Sequence, residues 1–233
     1  MSPSAIKTIM DFHALYCGGI AEEQRAAGVP DVDAVPPWAR VSWLGHQVVK
    51  CPMDLWVYQE ILWETRPDLL IETGTSGGGS AYFFATIMDS IGNGRILTVD
   101  VDSYPVLNSQ HPRIGYLVGS SIDPVIIDRI HHAAKREKTV MVSLDSLHTY
   151  AHVAAELEAY ASLVTVGQYL VVEDTGMGEL GESPNATPPD HENAWANLAV
   201  REFLASHSGY TADVSREKHL LTSNHNGWIR RNN

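Results

Sequence analysis

The chain contains only two cysteines, Cys17 and Cys51, in 233 residues. No disulfide framework is possible on that count, and both are expected as free thiols in a reducing compartment. Basic residues are also scarce: 16 Lys and Arg stand against 28 Asp and Glu, for a net charge of −12. Without a basic stripe to neutralise phosphates, a nucleic-acid binder is disfavoured. No apolar run approaches the ~20 residues that span a bilayer. The opening Met1-Ser2-Pro3-Ser4-Ala5-Ile6-Lys7 lacks the basic-then-apolar layout of a secretory signal, so the cytoplasm is the expected compartment. G-x-x-x-x-G-K-[ST] is missing, which removes the P-loop from consideration. Repeats and low-complexity tracts are absent.

What is present reads as one globular domain, with 44% hydrophobic and 19% charged residues. Residues 1–40 form an N-terminal extension, with a short helix over Ile6 to Tyr16 and a proline-rich loop over Pro30 to Pro37. Trp43 to Lys50 is a short strand or extended arm. Pro52 then opens a helix whose apolar positions Leu55, Tyr58, Ile61 and Leu62 share a face, and Pro67 stops it. Beyond it, strands and helices alternate: strands at 68–72, 95–100, 114–118, 139–144 and 169–172, helices at 78–90, 124–135, 149–163 and 194–205. Strands that are apolar throughout and separated by helices imply an α/β fold with a mostly parallel sheet covered on both faces. An irregular polar stretch at 175–193 follows the strand at 169–172, and a stretch that long at a strand's carboxyl end suits a lid. Leu220 to Arg230, with Asn226-Gly227 as a turn signal, reads as part of a terminal strand pair.

The most informative stretch is Ile71-Glu72-Thr73-Gly74-Thr75-Ser76-Gly77-Gly78-Gly79-Ser80. A strand ends in an acid, breaks into a turn without bulky side chains, and enters a helix, so the backbone can approach a ligand closely. The next strand ends at Asp100, where a carboxylate suits ribose hydroxyls. The pattern E-x-G-x-x-G-G-G lacks the first G-x-G pair of a dinucleotide fingerprint. An acid just before the glycines repels a pyrophosphate but accepts an ammonium, and S-adenosylmethionine carries an ammonium, a ribose and no phosphate. A glycine turn can also merely connect a strand to a helix; Glu72 and Asp100 together favour the cofactor.

Two later strands also end in acids, Asp145 and the pair Glu173-Asp174. Three carboxylates in one pocket repel each other unless a cation holds them, and all-oxygen ligation suits Mg²⁺ or another hard divalent ion. Solvated or helix-capping acids are the alternative. His148, three residues after Asp145, is placed to act as general base toward a hydroxyl. His152 makes an H-x-x-x-H spacing with it but is expected on a helix face away from ligands.

Trp43-Leu44-Gly45 through Cys51-Pro52, Leu55 to Glu60, and Ile71 to Thr75 resemble the family labelled cephalosporin hydroxylase, which also includes rhamnosyl and macrolide-sugar O-methyltransferases. The resemblance covers roughly residues 40 to 230 and implies a Rossmann-like class I methyltransferase fold with a seven-stranded sheet and an antiparallel terminal strand. It also implies S-adenosylmethionine as cofactor, Mg²⁺ held by Asp145, Glu173 and Asp174, and His148 as base toward a hydroxyl of a sugar or other secondary metabolite. Glu72, Gly74, Thr75, Ser76, Gly78 and Ser80 would hold the methionine part, Asp100 the ribose, and Ser120, Ser121 and Asp145 further parts of the cofactor. A homo-oligomer, with the N-terminal segment at its interface, is likewise implied, in antibiotic or other natural-product biosynthesis. The word hydroxylase raises an Fe(II) oxygenase as the alternative, although no H-x-D…H iron site is visible; a non-catalytic small-molecule binding protein is the other.

Overall fold

The computed structural model describes residues 24–29, 37–102, 110–176 and 196–233. Most of the extension at 1–40 and of the lid at 175–193 therefore lies outside the described residues.

An antiparallel pair, β1 (Ser42–Trp43) and β2 (His46–Gln47), precedes helix α1 (Pro52–Thr65). Proline at the first helical position suits α1's start, and Arg66, left-handed at φ 43°, ends it one residue before Pro67. Then follow β3 (Leu69–Thr73), α2 (Gly79–Ile91), β4 (Arg95–Asp100), β5 (Ile114–Val118) and α3 (Pro124–Ala134). The Asp123 carboxylate caps α3 by accepting from the Val125 N–H at 2.8 Å. The chain continues through β6 (Val140–Leu144), α4 (Tyr150–Tyr160), β7 (Tyr169–Val172), α5 (Ala196–Ser206), β8 (Tyr210–Ala212) and β9 (Trp228–Arg231).

Seven strands form one sheet in the order β5-β4-β3-β6-β7-β9-β8. β5, β4, β3, β6 and β7 pair in parallel, while β9 runs antiparallel to both β7 and β8. The central strands β3, β6 and β7 are buried at every position, as a sheet covered on both faces requires. One core packs Leu69, Ile71, Val142 and Leu170 beneath α3, α4 and α5. The other packs Leu70, Ile96, Met141 and Val171 beneath α1 and α2. The expected terminal strand pair is present, but it joins β9 to β8. Asn226, left-handed at φ 57°, and Gly227 lead into β9 rather than closing a hairpin with residues 220–224.

Strand order reverses between β3, whose chain proceeds outward to β4, and β6 on its other side. In open α/β sheets that switch point opens a crevice at the strands' carboxyl ends. Gly74 and Asp145 follow β3 and β6 there.

Candidate active site

Gly74 has φ +82°, and a Cβ on it would lie 1.9 Å from the Asp145 carbonyl oxygen. Only glycine lets the two strand ends approach so closely. Gly79, at the start of α2, is pressed equally hard by the Gln47 carbonyl after β2. The turn is thus shaped from both sides, by β6 and by the β1–β2 arm. Ser76, at φ 47°, donates its N–H to Asp100 Oδ2 at 2.8 Å, which ties the turn to the tip of β4.

Glu72 is fully buried and faces α2. Its Oε2 accepts from Thr98 Oγ1 at 2.7 Å, and Ser80 gives a further hydrogen bond. Oε1 is buried with no partner among the described residues. Burial raises the Glu72 pKa, with Lys50 opposing. A buried acid short of one donor fits the cationic ammonium of an amino-acid group. Thr75 turns its hydroxyl inward to Thr98 Oγ1, 2.7 Å away. Ser121 is also directed inward, its Oγ 3.1 Å from His152 Nε2, while Ser120 Oγ accepts from the Ile122 N–H.

Asp145, His148 and Asp174 converge. One ligand-capable atom from each lies within 4.8 Å of the others. His148 Nε2 is 3.7 Å from Asp145 Oδ1 and 3.3 Å from Asp174 Oδ2. Burial pushes the Asp145 carboxyl well above its ordinary range; Lys50 opposes that rise, and Glu173 and Asp174 add to it. Asp174 is raised by burial, opposed by His148 and reinforced by Glu173. Acids that repel one another and resist ionisation fit a cation between them.

Glu173 is set differently. Its Oε1 lies 2.9 Å from Lys50 Nζ and accepts from the Tyr58 hydroxyl, which also contacts Ser143 Oγ at 2.7 Å. Lys50 is the second partner of Asp145 as well, 2.6 Å from Oδ2. One buried ammonium therefore draws the inner oxygens of Asp145 and Glu173 together and leaves Asp145 Oδ1 turned toward His148. His152, 3.5 Å from Glu156 Oε1, lies outside the converging group.

Sequence reasoning missed Lys50 and Tyr58. A lone lysine in the apolar run Val48-Val49-Lys50-Cys51 was the available signal, because a charge carried inside by apolar neighbours must find a partner. Tyr58 belongs to the apolar face of α1, and its ring lies in the core; its hydroxyl is what reaches the site.

The family described as Rhamnosyl O-methyltransferase/CmcI matches residues 37–232. A curated relative, "Rhamnosyl O-methyltransferase" of Mycobacterium bovis (strain BCG / Pasteur 1173P2), is 36% identical over 201 residues, 84% of this chain and 80% of that protein. Among solved structures, "CmcI-N160 apo-structure" aligns with a TM-score of 0.63 at 21% identity, over 90% of this chain and 84% of its own. "cmcI-D160 Mg-SAM" aligns with a TM-score of 0.62 at 20% identity, over 89% and 83%. These likenesses establish the Rossmann-like class I methyltransferase fold.

Proposed function

This chain belongs to the Rhamnosyl O-methyltransferase/CmcI family and is an S-adenosylmethionine-dependent O-methyltransferase; on that premise we propose that its acceptor is a hydroxyl of a sugar or other secondary metabolite, and that it works with Mg²⁺ or another divalent ion. The observation that carries the reading is the convergence of Asp145, His148 and Asp174 at the strand tips beside the glycine turn. The name of the curated relative supports the sugar, and the magnesium and cofactor of "cmcI-D160 Mg-SAM" support the rest.

S-adenosylmethionine supplies an electrophilic methyl group, and a divalent ion lowers the pKa of an acceptor hydroxyl and stabilises charge developing on its oxygen. Asp145, Glu173 and Asp174 would hold the ion. His148 Nε2 receives the acceptor's proton, and Asp174, 3.3 Å away, orients the ring and offsets the charge it gains. Glu72, fixed by Thr98 and Ser80, receives the ammonium on its partnerless oxygen. The backbone from Gly74 to Gly78 would line the methionine part, Asp100 would take the ribose, and Ser120 and Ser121 would meet the adenine. Holding both reactants in line accounts for much of the acceleration.

A second reading is favoured by the engagement of Glu173 with Lys50 and Tyr58: the ion is held by Asp145, His148 and Asp174. Two variants separate the readings. If His148 is the base, His148→Ala lowers turnover by roughly 10²–10⁴ and keeps metal affinity, whereas Glu173→Gln weakens metal binding. If His148 is a ligand, the metal affinities change places. Full turnover by Asp145→Ala in EDTA would defeat both.

The same proposal takes 175–193 as a lid and 1–40 as an extension at a homo-oligomer interface. It places the enzyme in cytoplasmic natural-product biosynthesis, antibiotics included. Among the described residues no helix is long and apolar enough to cross a membrane.

A further inference from the structure

Asp174 sits at φ 58°, in the left-handed region that side-chain-bearing residues rarely adopt. Conformations of that kind persist only where surrounding structure imposes them. The imposing group is Asn224, whose Oδ1 accepts the Asp174 N–H at 3.0 Å. Asn224 is fully buried on the segment between β8 and β9, and its Nδ2 has no partner among the described residues. A buried amide with an unmet donor is costly, and filling space does not explain it. Its acceptor oxygen, aimed at a strained residue of the site, does.

The grip extends on both sides of Asn224. The Gly176 N–H donates to the Ser223 carbonyl at 2.8 Å, and Thr175 Oγ1 donates to the His225 carbonyl at 2.7 Å. The Asn224 N–H donates to Thr222 Oγ1 at 3.0 Å. Thr222 Oγ1 in turn donates to Asp54 Oδ1 at 2.6 Å, and the Ser223 N–H donates to Asp54 Oδ2 at 2.8 Å. A buried carboxylate in the first turn of α1 thus anchors residues 222–224, which clasp residues 174–176 after β7.

We infer that Asn224 is a positioning residue for Asp174: it holds that aspartate left-handed, carboxylate beside His148, so that a divalent ion meets a preformed ligand. Thr222 and Asp54 brace it from α1. The inference rests on the reading of Asp174 as a metal ligand.

The test is Mn²⁺ titration of the full chain without cofactor, followed by electron paramagnetic resonance of free Mn²⁺, with melting temperature measured alongside. Asn224→Ala should bind Mn²⁺ about 10–100-fold more weakly, as loss of a group that orients a ligand does. Thr222→Val, which keeps shape and loses both hydroxyl contacts, should weaken binding in the same direction by less. Asn224→Asp keeps the acceptor oxygen and should restore most of the affinity. A purely structural role moves the melting temperature and leaves the affinity of folded protein unchanged. Should Asn224→Ala not fold, Thr222→Val alone decides. Wild-type binding matched by the folded variants overturns the inference and leaves the metal reading intact. Wild-type protein that takes up no Mn²⁺ overturns the metal reading and the inference with it.

Discussion

Replacing Lys50 by methionine removes the one ammonium that Asp145 and Glu173 share while keeping most of the side chain's length and apolar stem. Lys50 is 2% exposed, with Nζ 2.6 Å from Asp145 Oδ2 and 2.9 Å from Glu173 Oε1. The Glu173 side chain is 4% exposed and that of Asp145 19%, so water cannot take over the lysine's role. Removing one partner of a buried ion pair costs about 3–5 kcal/mol, because the remaining charge stays buried and unmatched. An exposed pair would cost about 1 kcal/mol or less. Against a usual total of about 5–15 kcal/mol, the larger figure is close to unfolding the protein.

The effect should depend on pH with a definite sign. The Asp145 carboxyl is raised by burial, and Lys50 is the main influence holding it down. Without Lys50 it rises further above its unfolded value. A carboxyl raised in the folded state favours folding at low pH, and that contribution is lost as pH climbs through the folded pKa. The deficit of Lys50→Met should therefore be smallest near pH 5 and grow toward pH 8. Urea unfolding of wild type and variant in EDTA, at about pH 5, 6.5 and 8, measures it. Magnesium should then recover part of the loss, by about 2.7 kcal/mol at a hundredfold excess over its Kd. A variant within about 1 kcal/mol of wild type at pH 8, or a deficit flat with pH, would refute the reasoning.

Gly74→Ala would set a Cβ 1.9 Å from the Asp145 carbonyl oxygen and strain a φ of +82°; a loss of more than about 1–3 kcal/mol, together with loss of S-adenosylhomocysteine binding in calorimetry, is expected. Burial, with the charge of Glu173 adding to it, pushes the Asp54 pKa up to about 7, so its folded-state contribution is lost as pH rises from about 4 to 7. Wild type should accordingly lose stability relative to Asp54→Asn across that interval, with the difference levelling above it, in chemical denaturation at each pH. Tyr58→Phe takes one donor from buried Glu173 and leaves Ser143 short of a partner; about 1–3 kcal/mol of stability should go, with the fold kept by circular dichroism.

The fold was legible where local chemistry and burial agree. The runs at 69–71, 140–142 and 169–172 are apolar because both faces of a parallel strand are covered. Strand tips were legible for the same reason: the first polar residues after such runs are Asp100, Asp145, Glu173 and Asp174, and parallel pairing brings them to one edge. What sequence could not show is which way each acid points. Glu173 and Asp174 are adjacent in sequence, yet Glu173 turns inward to Lys50 and Tyr58 while Asp174, left-handed, faces His148. That split depends on contacts over long separations, from residues 50, 58 and 224, and no spacing rule reaches so far. Asn226-Gly227 shows the same limit: its turn is present, but a turn signal fixes a local bend and not which strand lies across from it.

The inward and outward sets also explain why so acidic a pocket can fold before any metal arrives. Asp54, Glu72, Asp145, Glu173 and Asp174 all lie around one lysine, and four of them are pushed toward the neutral form, by burial above all and further by the charge of Glu173. Lys50 meets the inner oxygens with a permanent charge from the stretch between β2 and α1, so part of the cluster's repulsion is answered by the chain itself. What is left unanswered is the outer face, Asp145 Oδ1 and Asp174 Oδ2 beside His148. A resident cation that answered those atoms too would leave no place for an exchangeable one. A site without Lys50 would carry its full repulsion through folding. The placement of a single lysine behind the acids, rather than among them, answers the inner repulsion and leaves open the face on which the proposed dication would sit.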